Sequence, residues 1–491
     1  MSSDIRTLEP QSLWNHFADL NAVPRPSKKE ERVINFIKAF GAQLGLDTKV
    51  DEAGNIIIKK PATPGMEDRA TVVLQSHLDM VHQKNADTVF DFDKQGIEMF
   101  VEGDWVKAKG TTLGADNGIG VASIMAILAD KEMAHPPVEA LFTIDEETGM
   151  TGAMALKGGL LDAQIMLNLD TEDDNELTIG CAGGVDITAR GEYEQEALSG
   201  SFKAYTLQVK GLTGGHSGMD IHLGRGNANK LMNRLLQQAS EELGLRLASL
   251  DGGGLRNAIP RESKAQLAIP IGSDEAFRYF IKEQRAVLQA EYQSTDPELE
   301  VVLEDSGMPA QCLNNEFQQQ LLRALYACPS GIYRMSPDIE GLVQTSNNLA
   351  RVLVSGGEYE LLCLTRSSVD SEKGDLARAI RSTFELMGAY VSFDGAYPGW
   401  TPKPGATIVK LMSGLYEELF QEQAHVNACH AGLECGILGT NYPEMEMISF
   451  GPNIRGAHSP DERVQISSVQ KYWGFLQETL KRIPAASAVA G

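Results

Sequence analysis

Five short stretches of this chain, each at the end of an apolar run or just after one, carry acidic or imidazole side chains. They are residues 75–80 (QSHLDM), 114–118 (GADNG), 145–149 (DEETG), 168–172 (NLDTE) and, far downstream, 456–460 (GAHSP). The first sets the pattern. A strand ending in His77-x-Asp79 puts both side chains on one face, because side chains alternate with period two. An imidazole beside a carboxylate suits a metal ligand held by the acid that orients it.

Counting across the five stretches gives His77, Asp116, Glu147, Asp170 and His458 as candidate metal ligands. A catalytic divalent ion takes three protein ligands plus water. Five ligands with one shared make two such sites: Asp116 bridges, His77 and Asp170 complete one, Glu147 and His458 the other. Paired ions about 3.5–4 Å apart are suited to activating water and polarising a carbonyl together. Nitrogen and carboxylate donors without thiolate favour zinc, with manganese or cobalt as substitutes. Two carboxylates are left over. Glu146 is placed to act as general base and then acid, and Asp79 to fix the tautomer of His77 through its second nitrogen. A purely structural metal site has no use for either.

These residues need a scaffold that gathers them. Apolar periodicity predicts helices over 9–20 and 30–44, strands over 56–58 and 71–75, a helix over 119–129 capped by Asp116 or Asn117, and strands over 140–144 and 165–169. Alternation of strands and helices predicts a mostly parallel sheet, whose carboxyl strand ends collect ligands. Beyond residue 180 the pattern changes to strands at 204–209, 265–269, 298–303, 360–364 and 389–393, with helices at 227–243, 275–291, 315–327 and 373–386. Residues 397–404 (YPGWTPKP) read as a linker. A helix at 408–421, a strand at 446–449 and a closing helix at 469–481 follow. If His458 is to meet His77, the middle region is an insertion. The expected fold is therefore α/β: a discontinuous di-metal catalytic domain, residues 1–185 and 401–491, interrupted by an α+β lid domain, 186–400, built of two halves.

Composition narrows the partners. Formal net charge is −24, which repels phosphate backbones and anionic lipid, so neither nucleic acid nor a membrane surface is an expected partner. The opening residues, MSSDIRTLEP, show no basic stretch followed by an apolar one, and no apolar run is long enough to span a bilayer. Six cysteines without CxxC spacing read as reduced, mostly buried thiols of a cytoplasmic protein. His425 and His430, flanking Cys429, are expected to be buried structural residues and not a further metal site.

The motifs SHLDMV, GADNGIG, DEETGMTGA, NLDTE and GAHSPDE together resemble those of the di-zinc aminoacylase and carnosinase-like metallopeptidase family, which includes bacterial Xaa-His dipeptidases. The resemblance runs the length of the chain. It implies the same ligand set, the same pair Asp79 and Glu146, and two zinc ions. In the insertion it implies that His216, in residues 214–218 (GGHSG), stabilises an oxyanion. It further implies that Asn257 and Arg366 bind the substrate's carboxylate or backbone, and that Gly432 approaches the same carboxylate. It implies a hydrolase acting on unblocked dipeptides, preferentially Xaa-His, with β-alanyl-histidine (carnosine) among them; a homodimer is expected. The alternatives are an N-acyl amino-acid deacylase, a broader dipeptidase or tripeptidase on the same site, and a metal-stabilised binding protein. The second half of the lid is expected to imitate a partner's lid, which leaves open whether His216 acts within its own subunit.

Overall fold

The computed structural model describes residues 5–489; Met1–Asp4, part of the stretch searched for a leader, lie outside them. Contacts divide the chain into two units: Met1–Gly180 with Trp400–Ala428 and Leu433–Gly491, and Cys181–Gly399 with Cys429–Gly432.

The first unit is built on an eight-stranded mixed sheet. Its order is Asp47–Val50, Ile56–Lys60, Val138–Thr143, Val72–His77, Ile165–Asn168, Glu446–Ser449, Glu176–Cys181 and His425–Cys429. The four strands from Val138–Thr143 to Glu446–Ser449 run parallel, whereas Asp47–Val50 with Ile56–Lys60, Ile56–Lys60 with Val138–Thr143, and Glu446–Ser449 with Glu176–Cys181 pair antiparallel. Val72–His77 is buried along its whole length, as expected of a strand covered on both faces. In register, His77 lies beside Thr143 and Gln75 beside Asn168. The segments carrying Asp79, Glu146, Glu147 and Asp170 therefore all leave the sheet at its carboxyl edge, where open α/β sheets bind ligands.

The helix Ala115–Ala129 packs almost wholly buried against this edge. Gly120 permits that approach: a Cβ there would lie 2.3 Å from Ser76 Oγ and 2.9 Å from the Leu169 carbonyl. The expected cap is not made by Asp116 or Asn117. Both have non-helical backbone angles, so the regular helix begins after them, and the N–H groups of residues 113–116 leading into it are taken by Glu462, as described below. A four-stranded sheet of Ile454–Arg455, Arg463–Gln465, Trp105–Ala108 and Met99–Glu102 holds the loop that carries His458.

The second unit is a nine-stranded antiparallel sheet. Its order is Glu300–Asp305, Phe202–Lys210, Ser263–Pro270, Arg246–Gly253, Val343–Ser355, Glu358–Ser367, Gly183–Glu192 and Tyr390–Tyr397, with Gly331–Met335 also on Val343–Ser355. A four-stranded group and a five-stranded group, the latter counting Gly331–Met335, are fused where residues 250–253 pair with 351–354. Amphipathic helices Ala228–Leu243, Asp274–Glu291, Asn315–Ala327 and Asp370–Glu385 contribute Leu231, Phe277, Leu321 and Phe384 to one core with Leu247, Leu267, Leu349 and Leu361.

Candidate active site

Each ligand candidate of the first unit leaves a different element and lies within 3.5 Å of at least one other. Donor atoms of His77, Asp116 and Asp170 lie within 4.8 Å of one another, and so do those of Asp116, Glu147 and His458. Asp116 belongs to both groups. Its Oδ1 is 3.2 Å from His77 Nε2 and its Oδ2 is 3.3 Å from His458 Nε2. His77 Nε2 is 3.5 Å from Asp170 Oδ1, and His458 Nε2 is 3.0 Å from Glu147 Oε2. His77 is buried whereas the His458 side chain is 57% exposed, so one triad lies deeper than the other. His77, Glu146 and Glu147 form a third convergent group.

The donor set suits divalent cations. Although burial opposes it, the Asp170, Asp116 and Asp79 carboxylates hold the His77 imidazole well above its usual pKa. Hydrogen bonds to Asp116 and Glu147 push His458 up to about 11. Burial, reinforced by neighbouring carboxylates, drives Glu146 well above the ordinary range, and burial beside Asp116 and Asp170 takes Glu172 up to about 8. Imidazoles pulled toward their charged form amid carboxylates pushed toward neutrality mark a negative pocket that divalent charge complements. Oε1 of Glu147 is buried without a hydrogen-bond partner, as a ligand oxygen awaiting a cation would be.

Asp79 reaches more than His77. Its Oδ1 is 3.4 Å from His77 Nδ1, while its own carbonyl is nearer at 3.1 Å. The carboxylate accepts the backbone N–H groups of Glu146 at 3.0 Å and Glu147 at 3.3 Å, and the Ser27 hydroxyl at 2.8 Å. It caps the short helix Glu146–Gly149, which Asp145 enters with φ 54°, so one side chain fixes both the proposed base and the ligand next to it.

Three supporting groups were not singled out from sequence. Arg25, fully buried, donates to the carbonyls of Leu78, Asp79 and Gly114 and to Asn21 Oδ1. Glu434 accepts from Gln75 Nε2 and Thr143 Oγ1, both at 2.7 Å, and Asn168 Nδ2 donates to Gln75 Oε1 at 2.5 Å. Gln75, Thr143 and Asn168 each sit two residues before His77, Asp145 and Asp170, forming a polar layer beneath them; burial pushes Glu434 up to about 7. Glu462 is the third. Glu462 left a trace, four residues after His458 in a motif already singled out, and Glu434 lies two residues after Gly432; Pro24-Arg25-Pro26 looks like a turn.

The residues predicted in the insertion belong to the second unit. His216 Nδ1 accepts the backbone N–H groups of Gly218 and Met219 at 3.2 and 3.0 Å. The neutral ring therefore carries its proton on Nε2, and burial, then Arg366, keeps its pKa below normal. Nε2–H faces Arg366 Nη2 at 3.5 Å. Two donors turned toward each other define a place for an anionic oxygen. Arg366 is positioned by Tyr397 Oη at 2.9 Å. Asn257 is exposed, and its carbonyl accepts from Ser217 N–H at 2.7 Å. Gly432 closes the loop Cys429–Gly432, where His430 is buried with Nε2 2.8 Å from Ser346 Oγ. His425, expected to be buried, is instead exposed at the start of its strand.

Gly218 has no room for a side chain: a Cβ would fall 2.2 Å from the His430 carbonyl and 3.2 Å from Arg366 Nε. Gly218→Ala is expected to destabilise the protein by about 1–3 kcal/mol, read from denaturant unfolding. Wild-type stability would show that the loop yields freely.

The two groups that share Asp116 lie on an α/β unit, and the chain belongs to peptidase family M20/M25/M40, whose model matches residues 73–482. Over 483 residues it is 44% identical to the cytosol non-specific dipeptidase of Escherichia coli (strain K12), covering 98% of this chain and all of that one. The crystal structure of aminoacylhistidine dipeptidase from Vibrio alginolyticus superposes with a TM-score of 0.94 at 44% identity, covering 99% of this chain and 100% of that chain. A tripeptidase from Staphylococcus aureus shares the fold at a TM-score of 0.55 and 16% identity, over 97% of this chain and 99% of that one.

Proposed function

We propose that this chain is a two-zinc dipeptidase of the cytoplasm that cleaves unblocked dipeptides, Xaa-His substrates such as β-alanyl-histidine (carnosine) among them. The observation that carries the reading is Asp116, shared between His77 and His458 with a half-buried Glu146 alongside. Both 44%-identical relatives bear dipeptidase names, one non-specific and one for aminoacylhistidine; a preference for histidine is the finer part of the proposal. Manganese or cobalt would fit the same donors.

His77, Asp116 and Asp170 would hold one ion, and Asp116, Glu147 and His458 the other. Bound there, divalent ions supply Lewis acidity toward the scissile carbonyl and toward water. Glu146 takes the proton of the attacking water and returns it to the leaving amine. Asp79 holds Glu146 and Glu147 by their backbone N–H groups. His216, protonated on Nε2, donates to the developing oxyanion, while Arg366, with Asn257 and Gly432, receives the substrate's carboxylate. Arg366→Ala should raise KM by about tenfold to a hundredfold with a smaller change in kcat, measured on a dipeptide series; an unchanged KM would remove Arg366 from substrate binding.

The E. coli relative is named a cytosol enzyme, and no described helix is long and apolar enough to cross a membrane. Assembly as a homodimer is proposed on the exposed Ile332, Tyr333 and Met335 of the strand Gly331–Met335, an apolar strand of the kind that pairs with another chain. The substrate class is tested by comparing a free-amine dipeptide with its N-acetylated form and with N-acetyl amino acids. Free-amine dipeptides are expected to turn over fastest; faster deacylation would overturn the reading.

A further inference from the structure

Among the ligand candidates His458 is the one whose placement needs most explanation. It is exposed, it comes from a loop far along the chain, and its backbone lies in the left-handed region at φ 64°, which a side chain disfavours. Surrounding structure has to hold such a residue. The loop 456–462 is closed on itself by the Ser459 N–H on the Gly456 carbonyl at 3.2 Å and the Glu462 N–H on the Ser459 carbonyl at 3.1 Å.

Its last residue turns inward. Glu462 is 3% exposed, and its carboxylate gathers four consecutive backbone N–H groups. Oε2 accepts those of Leu113 at 2.7 Å and Gly114 at 2.9 Å; Oε1 accepts those of Ala115 at 2.8 Å and Asp116 at 3.2 Å. Successive backbone N–H groups converging on one point form a concavity that favours negative charge, and residues 113–116 lead into the helix across the non-helical Asp116 and Asn117. One carboxylate thus fastens the loop of His458 to the segment that presents Asp116. The deeper triad has separate fastenings: Arg25 ties the Gly114 carbonyl to those of Leu78 and Asp79, and Asn117 Nδ2 donates to the Leu169 carbonyl at 2.9 Å.

We propose that Glu462 is a positioning residue for one metal only, the ion held by Asp116, Glu147 and His458. The inference rests on the ligand set proposed above. Without the full carboxylate, the loop is free to relax from its left-handed turn and carry His458 away from Asp116, while His77, Asp116 and Asp170 stay gathered at the sheet edge.

The test is a calorimetric titration of metal-free Glu462→Gln with Zn2+, with unfolding of the metal-free protein followed alongside. Glutamine keeps one acceptor oxygen and turns amide hydrogens toward the remaining N–H groups. One zinc is expected to bind within about threefold of wild type and the other about tenfold to a hundredfold more weakly. Glu462→Asp, with the charge on a shorter arm, should fall between, and carries the same comparison if the glutamine variant does not fold. Unchanged affinity for both ions, even in a protein that melts earlier, would reduce Glu462 to a structural cap and overturn the proposal; equal weakening of both ions would do the same. His458→Ala separates the layers. Loss of one zinc there with none in Glu462→Gln overturns the positioning role alone, whereas retention of both zinc ions in His458→Ala overturns the ligand set and the proposal with it.

Discussion

Glu146→Ala should lower kcat by about 10²–10⁴-fold, the range general acid–base catalysis contributes, while two metal ions per chain remain bound. In the proposed ligand set Glu146 belongs to neither triad. Removing it therefore takes away the group that moves the proton and leaves the six-contact ligand frame, with Asp116 counted twice, intact. Its burial and the neighbouring carboxylates keep its pKa well above the ordinary range, which brings a carboxyl nearer the value at which it both accepts and returns a proton. The third convergent group, His77 with Glu146 and Glu147, makes this a sharp test. If Glu146 were a ligand, metal content measured by atomic emission would fall together with turnover. Full metal content with retained turnover would remove Glu146 from the proton path.

Asp116→Ala should have the larger effect, abolishing measurable turnover and lowering the affinity of both ions. Each Asp116 oxygen faces a different histidine, at 3.2 and 3.3 Å, so truncation strips a ligand from both triads at once. It also removes the hydrogen bonds that, against burial, hold its own pKa down and those of both histidines up. Removal of His458 alone should be milder, costing one ion. Metal titrations of the two variants distinguish a shared carboxylate from two independent sites: loss of a single ion in Asp116→Ala would contradict the bridging role.

Much of the catalytic unit was legible because its chemistry follows strand ends. Apolar runs such as residues 71–75 and 165–169 announce buried strands, and the His, Asp and Glu residues directly after them have few alternatives to a shared carboxyl edge. Helices with a clean apolar stripe were equally readable: 315–327 is found as expected, and 227–243 and 275–291 each within one residue. What stayed hidden is instructive. The strand Val343–Ser355 begins with Gln344-Thr345-Ser346-Asn347-Asn348, a run that reads as a polar loop, yet all five are buried. Partners far away in sequence satisfy them: Glu372 accepts from Gln344 and Thr345, His430 meets Ser346, and Asn347 donates to the Pro329 carbonyl. Local pattern carries no trace of such partners.

The same limit explains the supporting residues of the site. Arg25 and Glu434 act through carbonyls, amides and hydroxyls brought in by other strands, so their sequence neighbourhoods show only a proline-flanked turn and an ordinary helix start. The helix cap was misjudged for a related reason. An acidic residue at the head of a helix normally caps it, but Asp116 is turned toward two histidines, and the N–H groups of the segment leading into the helix are held instead by Glu462, 346 residues along the chain from Asp116.

The measurement that bears most directly on the central claim is turnover of β-alanyl-histidine, and of a matched dipeptide ending in leucine, before chelation, after it, and after zinc is returned. Loss of cleavage on chelation, recovery with about two zinc ions per chain and faster hydrolysis of the histidine substrate are the predicted results. Cleavage that persists in protein stripped of metal, or failure of the zinc-restored protein to cleave either dipeptide, would contradict it.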